Sequence, residues 1–164
     1  KKLDENPAQD KLALRPLSRE DIVRGIAKLK TNKAAGLDGI TNKMLKTAKN
    51  FVATKLLPLF NTVIQNGEFI EEWKEAKIRA IFKNTGSEQE PANYRPISLL
   101  SCVSKLFERC IHPQIYQALE PFLPNCQHAF RKRHSITTAL AEICEKILLN
   151  MENNNLTYIV QLDV

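Results

Sequence analysis

The chain has 164 residues, of which 43% are hydrophobic, and its formal net charge is +6. This length suits one domain or a large part of one, and the basic balance favours an anionic partner, either nucleic acid or a membrane surface. No apolar run reaches the ~18–20 residues of a membrane span and no signal peptide is recognisable, so the sequence excludes an integral membrane protein and predicts a soluble one.

The four cysteines form no C-x-x-C pair. This spacing argues against a zinc site and against a disulfide framework. We therefore interpret the four cysteines as reduced thiols of an intracellular protein.

The first predicted helix follows a lead-in segment, residues 1–17, which mixes charges with two prolines. Ser18 is a candidate N-cap because Asp21 stands three residues later, where an acid completes the cap. Apolar residues at helical spacing then extend the helix to Lys30; they are Ile22, Ile26 and Leu29.

The stretch 31–39 contains Lys33, Gly36 and Asp38 and ends in a second glycine. A glycine loop beside a lysine allows close backbone approach to a phosphate, but the order matches no P-loop or dinucleotide motif. A tight turn between helices is the competing interpretation.

A helix is predicted over residues 41–65, with Pro58 kinking or dividing it and the Asn-Gly pair at 66–67 ending it. Its predicted apolar stripe is Leu45, Ala48, Val52, Leu56, Leu59 and Val63. Three lysines lie off that stripe and form either a solvated face or a contact to phosphates; they are Lys43, Lys46 and Lys49.

Two extended segments on either side of the polar stretch 84–93 predict a β-hairpin. Lys83 and Arg95 then lie near each other at its mouth, where a point charge and a planar fork suit a polyphosphate. The alternative is a solvated Lys83 and an Arg95 that binds a loop carbonyl. Trp73, just before the hairpin, is predicted in the core.

A core-facing helix is predicted over residues 101–119, perturbed at Pro113. The next stretch, 127–134, holds three cations, two histidines and no acid. Ser135 can cap a following helix. The positive end of that helix dipole would add to the positive electrostatic potential of the basic stretch. The patch therefore predicts phosphate contact, with a solvated surface as the alternative.

Residues 156–164 are rich in strand-forming side chains and predict a central strand. Asp163 stands at the end of this apolar run, where a carboxylate is costly unless it is neutralised. Asp163 is therefore either a metal ligand or an acid that faces solvent.

Several blocks together resemble the reverse transcriptases of non-LTR (LINE-type, jockey-like) retrotransposons. The strong blocks, in family order over about 70 residues, are NYRPISLL at 93–100, KLFER at 105–109, QHAFR at 127–131 and LDV at 162–164. Weaker blocks are KAAGLDGI at 33–40 and EWKEA at 72–76. An alanine replaces the family's proline at 34 or 35, and Ala129 replaces its glycine.

The resemblance implies an α+β fold in which a fingers subdomain of helices and a small antiparallel sheet runs into the first palm strand, where the chain is truncated. Its implied divisions are a lead-in segment at 1–17, the fingers and fingers/palm helices at 18–155, and the palm strand at 156–164. The start at Lys1 and the end inside a predicted strand also indicate a fragment.

The resemblance also implies roles for individual residues. Lys83 and Arg95 bind the incoming nucleotide, and Asp163 is the first catalytic aspartate and a ligand of Mg²⁺. Nucleotide addition at two metal ions needs further carboxylates, which the family supplies from a later hairpin. The implied template-binding residues are Gln127, Phe130, Arg131 and Lys132.

The predicted function is part of an RNA-directed DNA polymerase of a retrotransposon, with an RNA template, a DNA primer and dNTP as partners and no membrane. The fragment itself is expected to be inactive. An intracellular location, in nucleus and cytoplasm, accompanies this function. The alternatives are a non-catalytic nucleic-acid-binding remnant of a retroelement and a self-contained helical interaction module.

Overall fold

The computed structural model describes residues 13–162 and divides the chain into two compact units, Lys1–Ala118 and Leu119–Val164. The described residues form an α+β structure, as predicted, with five α-helices and one two-stranded antiparallel sheet. In chain order the elements are α1 (Arg19–Ala27), α2 (Asn42–Thr47), α3 (Lys49–Asn66), β1 (Lys77–Phe82), β2 (Tyr94–Leu99), α4 (Cys102–Leu119) and α5 (Ile136–Glu152). Short 3₁₀ turns at Glu71–Trp73, Pro91–Asn93 and Glu120–Phe122 join them.

The predicted cap of the first helix is confirmed. Ser18 Oγ accepts the Asp21 N–H at 3.1 Å, and Asp21 Oδ2 accepts the Ser18 N–H at 2.9 Å, which satisfies two backbone donors that a helix start leaves open. Arg15 and Arg24 also bind the Asp21 carboxylate. Burial acts to raise the pKa of Asp21, but the hydrogen bonds from Ser18, Arg15 and Arg24 hold that pKa well below its ordinary value.

The end of the lead-in segment is tied to α3. Residues 1–12 lie outside the described part, but Leu17 is buried at 4% exposure. Its N–H donates to Asn61 Oδ1 at 2.7 Å, and its carbonyl accepts from Asn61 Nδ2 at 3.0 Å. One amide side chain thus satisfies both backbone groups of Leu17 and fixes the backbone at this residue to α3.

The core of the first unit is built by α1, α3, α4 and the turn that follows α3. Ile22, Ile26, Phe60 and Leu106 are fully buried. Trp73 is 8% exposed and packs edge-on to Phe60 at 6.0 Å between ring centroids, so its predicted core position is confirmed. Other rings of this aromatic cluster are Phe69 and Phe107.

The predicted helix over residues 41–65 is in fact two helices, and they meet at Ala48 rather than at Pro58. Ala48 has φ −101° and ψ 28°, outside the helical region, and it ends α2 and precedes α3. Helix α3 continues through Pro58, because the buried residues on both sides, Ala53 and Phe60, hold it in place despite the lost backbone donor. The predicted end is confirmed, since Gly67 adopts φ +69° and closes the helix.

The loop at 31–40 is fastened to the start of α4. A Cβ added to Gly36 would lie 2.7 Å from the Ser101 backbone nitrogen and 2.8 Å from the Leu100 carbonyl carbon, so the two backbones approach as only glycine permits. Ser101 Oγ donates to Asp38 Oδ2 at 2.6 Å. The structure therefore shows the tight turn between helices. A hydrogen bond between Asp38 and Ser101 also ties this turn to the start of α4.

The predicted hairpin is confirmed. Strands β1 and β2 pair from Lys77 opposite Leu99 to Phe82 opposite Tyr94. The connection at 84–93 is solvent-exposed apart from Asn93, whose side-chain amide donates to the Ser87 carbonyl at 2.7 Å. The hairpin thus has a defined register and a loop fixed from within.

In the second unit, helix α5 begins at the predicted cap. Ser135 Oγ accepts the Thr138 N–H at 3.3 Å, and Thr138 Oγ1 accepts the Ser135 N–H at 2.9 Å. No residue of α5 is buried. Its apolar side chains are largely exposed, with Ile136 at 80% and Leu140 at 55%.

The predicted strand at 156–164 is not formed in its described part. Residues 156–162 are neither helix nor strand and are exposed, with Leu156 at 84% and Val160 at 78%. A strand needs a partner for its backbone groups, and the described residues of this unit offer none, so strand-forming side chains alone do not suffice. Among residues 13–162, no helix is both long and apolar enough to cross a membrane.

Candidate nucleic-acid interface

The β1–β2 hairpin carries its cations on one face. Side chains two residues apart on a strand share a face, as do directly opposite residues of an antiparallel pair. Arg79 lies opposite Ile97 and Ile81 lies opposite Arg95, so both arginines are on one side of the sheet. This side, hereafter the hairpin basic face, carries Lys77, Arg79, Lys83 and Arg95.

These four cations are available to an anion. All four are exposed, and none has a carboxylate within ion-pair distance among residues 13–162. Like charges close together on one strand pair are unfavourable on their own and are relieved by a bound polyanion. The hairpin basic face therefore has the electrostatics of a phosphate-binding surface.

The structure brings Lys83 and Arg95 together, as the sequence predicted. The Lys83 N–H donates to the Asn93 carbonyl at 2.8 Å, which extends the ladder beyond β1. Lys83 and Arg95 are then diagonal neighbours, ~7–8 Å apart by the ordinary spacing of such pairs. The Lys83 ammonium itself donates to the Ala92 carbonyl at 2.8 Å, so it is held at the mouth of the hairpin.

The second predicted site, in the other unit, is arranged differently from expectation. Arg131 is turned inward: its side chain is 11% exposed, its Nε donates to Glu120 Oε1 at 3.1 Å, and its guanidinium also binds the Pro124 carbonyl at 2.9 Å. Charge density in the sequence could not reveal this, because Glu120 lies outside the basic stretch. A template contact by Arg131 stays a prediction, and it requires this ion pair to open.

The neighbours of Arg131 point in several directions. Phe130 is completely exposed, and its backbone has a positive φ of +58°. The Gln127 amide donates to the Ala129 carbonyl at 3.0 Å, and Lys132 is exposed. Ala129 itself has no positive φ, so its methyl group introduces no backbone strain.

A polar network that the sequence did not predict joins this loop to α5. His128 is within hydrogen-bond distance of Thr138 Oγ1 at 3.0 Å and of Glu142 Oε2 at 2.9 Å. Hydrogen bonds from Lys146 and from His128 lower the pKa of the half-buried Glu142 carboxyl. In the sequence, the i, i+4 spacing of Glu142 and Lys146 indicates one part of this network, the ion pair within α5.

Asp163, predicted as catalytic residue and metal ligand, lies outside the described residues. Within residues 13–162, no group of three or more His, Cys, Asp or Glu side chains is arranged to hold a metal ion. All four cysteines are free thiols, and burial raises the pKa of Cys110 to about 11. The described part of the chain thus carries exposed cations on the hairpin and no cluster of metal-ligating side chains.

Comparison with known proteins gives these features a context. No protein-family model matches the chain. It is 32% identical over 162 residues to a probable RNA-directed DNA polymerase from transposon BS of Drosophila melanogaster, and 32% identical over 155 residues to one from transposon X-element. It is 30% identical over 162 residues to the RNA-directed DNA polymerase from mobile element jockey of the same species.

These alignments cover 98%, 93% and 98% of the chain, but only 18%, 17% and 18% of the relatives. The chain is therefore homologous, over most of its length, to one segment of the RNA-directed DNA polymerases of transposons. Those relatives come from Drosophila non-LTR transposons, jockey among them, so the resemblance predicted from the residue blocks is confirmed.

Proposed function

We propose that the chain is part of an RNA-directed DNA polymerase of a retrotransposon and forms its fingers subdomain, where it contacts the RNA template, the DNA primer and the incoming dNTP. The homology to one segment of such polymerases supports the class of protein. The observation that carries the site is the hairpin basic face, on which Arg95 stands between Lys83 and Arg79 without a carboxylate partner among residues 13–162.

In this proposal Lys83 and Arg95 bind the triphosphate of the dNTP. The arginine fork binds two phosphate oxygens at once, while the lysine supplies a point charge held by the Ala92 carbonyl. The ladder fixes the spacing of the two side chains, so the triphosphate meets a surface that is already arranged for it. Orientation of the nucleotide is thus the hairpin's contribution to catalysis.

Gln127, Phe130, Arg131 and Lys132 are proposed to face the template, with the Phe130 ring stacking on a base. Asp163 is proposed as the first catalytic aspartate. Mg²⁺, when bound to carboxylates of the complete polymerase, would stabilise the attacking and leaving oxygens of nucleotide addition. One aspartate does not hold two such ions, so this segment alone is proposed to add no nucleotides.

The proposed location is intracellular, in nucleus and cytoplasm. The four cysteines are free thiols, as expected where reducing conditions prevail.

Steady-state primer extension by the complete polypeptide that carries this segment tests the role of Arg95. Loss of hydrogen bonds to a charged group costs ~1.5–3 kcal/mol, so we expect Arg95→Ala to lower kcat/KM for dNTP about 10- to 150-fold. The Kd for template-primer should change by less than about threefold, because many other contacts share that binding.

Lys55→Ala is the matched control, since it removes the same charge from an exposed position on α3. Equal losses of dNTP use and template-primer affinity in Arg95→Ala would contradict the assignment. A polypeptide that binds nucleic acid but extends no primer would leave the non-catalytic remnant as its function.

A further inference from the structure

The loop at 126–134 leads into helix α5 and has a strained backbone. Phe130 and Arg133 have φ values of +58° and +62°, in the left-handed region that residues with a side chain rarely adopt. The loop contains no glycine that would relieve this strain. Such a backbone persists only where the contacts around it hold it in place. The side chains that anchor the loop therefore decide its conformation.

His128 anchors the first half of this loop to α5. Its Nδ1 lies 3.0 Å from Thr138 Oγ1, and its Nε2 lies 2.9 Å from Glu142 Oε2. The imidazole side chain is 16% exposed, so water competes little for these two contacts. The ion pair of Arg131 with Glu120 anchors the other half of the loop to the preceding turn.

The other partners of the Thr138 hydroxyl determine what its oxygen offers to His128. A hydroxyl has one hydrogen to donate and two lone pairs that accept. The Thr138 hydroxyl donates its hydrogen to the Ser135 carbonyl at 2.8 Å, and it accepts the Ser135 N–H at 2.9 Å. One lone pair is left, so Nδ1 of His128 is the donor in their contact.

Glu142 makes the same demand on the other ring nitrogen. Hydrogen bonds from Lys146 and from His128 lower the pKa of the Glu142 carboxyl, so the carboxylate is present near neutral pH. A carboxylate only accepts, so Nε2 of His128 also donates. An imidazole with two N–H groups is the cationic imidazolium. The hydrogen-bond network is therefore complete only when His128 is charged.

The charged groups around His128 act in opposite directions. The Glu142 carboxylate contacts the ring directly and favours its charged form. Lys146 opposes that form, but its ammonium binds the other carboxylate oxygen, at 2.6 Å, rather than the ring. The direct contact dominates because the interaction of two charges weakens with distance. The other titratable or charged groups of the loop and of residues 138–146 are Cys126, Arg131, Lys132, Arg133, His134, Cys144 and Glu145.

A neutral ring cannot make both bonds. It keeps a single N–H, so its second nitrogen would direct a lone pair at the Glu142 carboxylate or at the Thr138 hydroxyl. The hydroxyl can turn to meet a bare Nδ1, but it then gives up the Ser135 carbonyl. Histidine ordinarily changes charge between about pH 5 and 8. Both bonds are therefore present at the lower pH, and one of them is lost as the pH rises.

From this geometry we infer that His128 is an imidazolium and a positioning residue, which holds the loop at 126–134 on α5 at low pH and releases it as the pH rises. For its consequence in template binding, the inference rests on the proposed function, because this loop carries the residues proposed to face the template. The conformation of that surface then depends on one proton.

Tryptic cleavage of the 164-residue chain after Lys132 and Arg133 measures how often the loop opens, because proteases cut exposed and mobile loops. A peptide of residues 126–138, digested at the same pH, corrects for the pH dependence of trypsin itself. We expect the corrected rate to rise about three- to fivefold between about pH 6 and pH 8.5, because one partly exposed ion pair is lost.

Glu142→Gln should at least halve this pH response, because a neutral amide places no demand for a charged ring. Glu145→Gln is the matched control, since it removes the same charge from an exposed position on the same helix. His134→Gln removes the other histidine of the loop. Both controls should keep the response. A rate that does not vary with pH in the unsubstituted chain, or equal responses in Glu142→Gln and Glu145→Gln, would overturn the inference.

NMR of the unsubstituted chain with ¹⁵N-labelled histidine gives a second measurement, which does not depend on how the Glu142 variant folds. The signals of His128 are assigned by their absence in His128→Gln. At about pH 6 both ring nitrogens should carry a proton, and at about pH 8.5 only one should. A single ring N–H at the lower pH, or two at the higher pH, would also overturn the inference.

This inference and the proposed function fail separately. The cleavage and NMR measurements use neither nucleic acid nor dNTP, so a negative result leaves the kinetic test of Arg95 untouched. A normal dNTP response of Arg95→Ala, in turn, would not change the protonation of His128.

Discussion

Gly36→Ala is predicted to destabilise the first unit through a backbone collision. The new Cβ would lie 2.7 Å from the Ser101 nitrogen and 2.8 Å from the Leu100 carbonyl carbon. Backbone atoms cannot turn aside as a side chain does, so the loop at 31–40 must move away from α4 or stay strained. Overpacking of this kind costs ~1–3 kcal/mol, and each kcal/mol lowers Tm by ~2–4 °C in a chain of about this length.

Thermal unfolding of the 164-residue chain, followed by circular dichroism, measures this effect. Gly39→Asn is the control, because nothing lies within 4 Å of its Cβ and asparagine tolerates the positive φ of +68° at that position. We expect its Tm to fall by less than half as much as that of Gly36→Ala. A Gly36→Ala chain as stable as the unsubstituted one would refute the close approach, and with it the fixed position of Lys33.

Three further predictions concern single residues. Trp73→Ala should cost ~3–5 kcal/mol in urea unfolding, because it empties the centre of the aromatic cluster; a loss below about 1 kcal/mol would contradict its core position. The folded-state pKa of Asp21 is depressed, so its stabilisation is complete above the ordinary carboxyl pKa of ~3.9 and is lost as the pH falls toward the folded value. The difference in unfolding free energy between Asp21→Asn and the unsubstituted chain should therefore be constant above about pH 5 and shrink below about pH 4. A difference that does not vary with pH would show that the charge of the Asp21 carboxylate does not contribute to stability. Arg131→Ala should speed amide hydrogen exchange in residues 119–135 because the ion pair between Arg131 and Glu120 is removed, and unchanged exchange would show that this pair is not maintained in solution.

Local signals in the sequence predicted the parts of the fold that local interactions decide. The cap at Ser18 depends on an acid three residues later, and the hairpin depends on two extended segments around a polar loop. Both were confirmed because few distant residues are needed to form them. The segment match to non-LTR polymerases was likewise visible in short blocks of residues.

The remaining features depend on distant contacts. Pro58 looked like the helix breaker, but the break falls at Ala48. Within α3, Ala53 and Phe60 are buried and Leu59 is exposed. Because α3 carries apolar residues on more than one face, their spacing alone did not decide which of them turn to the core. The run at 156–162 has the composition of a strand, but composition supplies no partner.

The candidate site shows the same division. Lys83 and Arg95 were placed together because one hairpin joins them. The cavity between the loop at 31–40 and α4 was not predicted, because the cations that line it, from Lys28 to Arg109, come together only through packing. The inward turn of Arg131 was also hidden, because its partner Glu120 stands eleven residues away in a different turn.

The proposal that this chain is part of a polymerase is tested most directly by primer extension with the complete polypeptide that carries it. With an RNA template, a DNA primer, dNTP and Mg²⁺, we expect the unsubstituted polypeptide to extend the primer. Asp163→Asn should abolish extension while template-primer binding stays within about threefold, because one metal-binding carboxylate is lost and the phosphate contacts remain. Extension at an undiminished rate by Asp163→Asn would contradict the account.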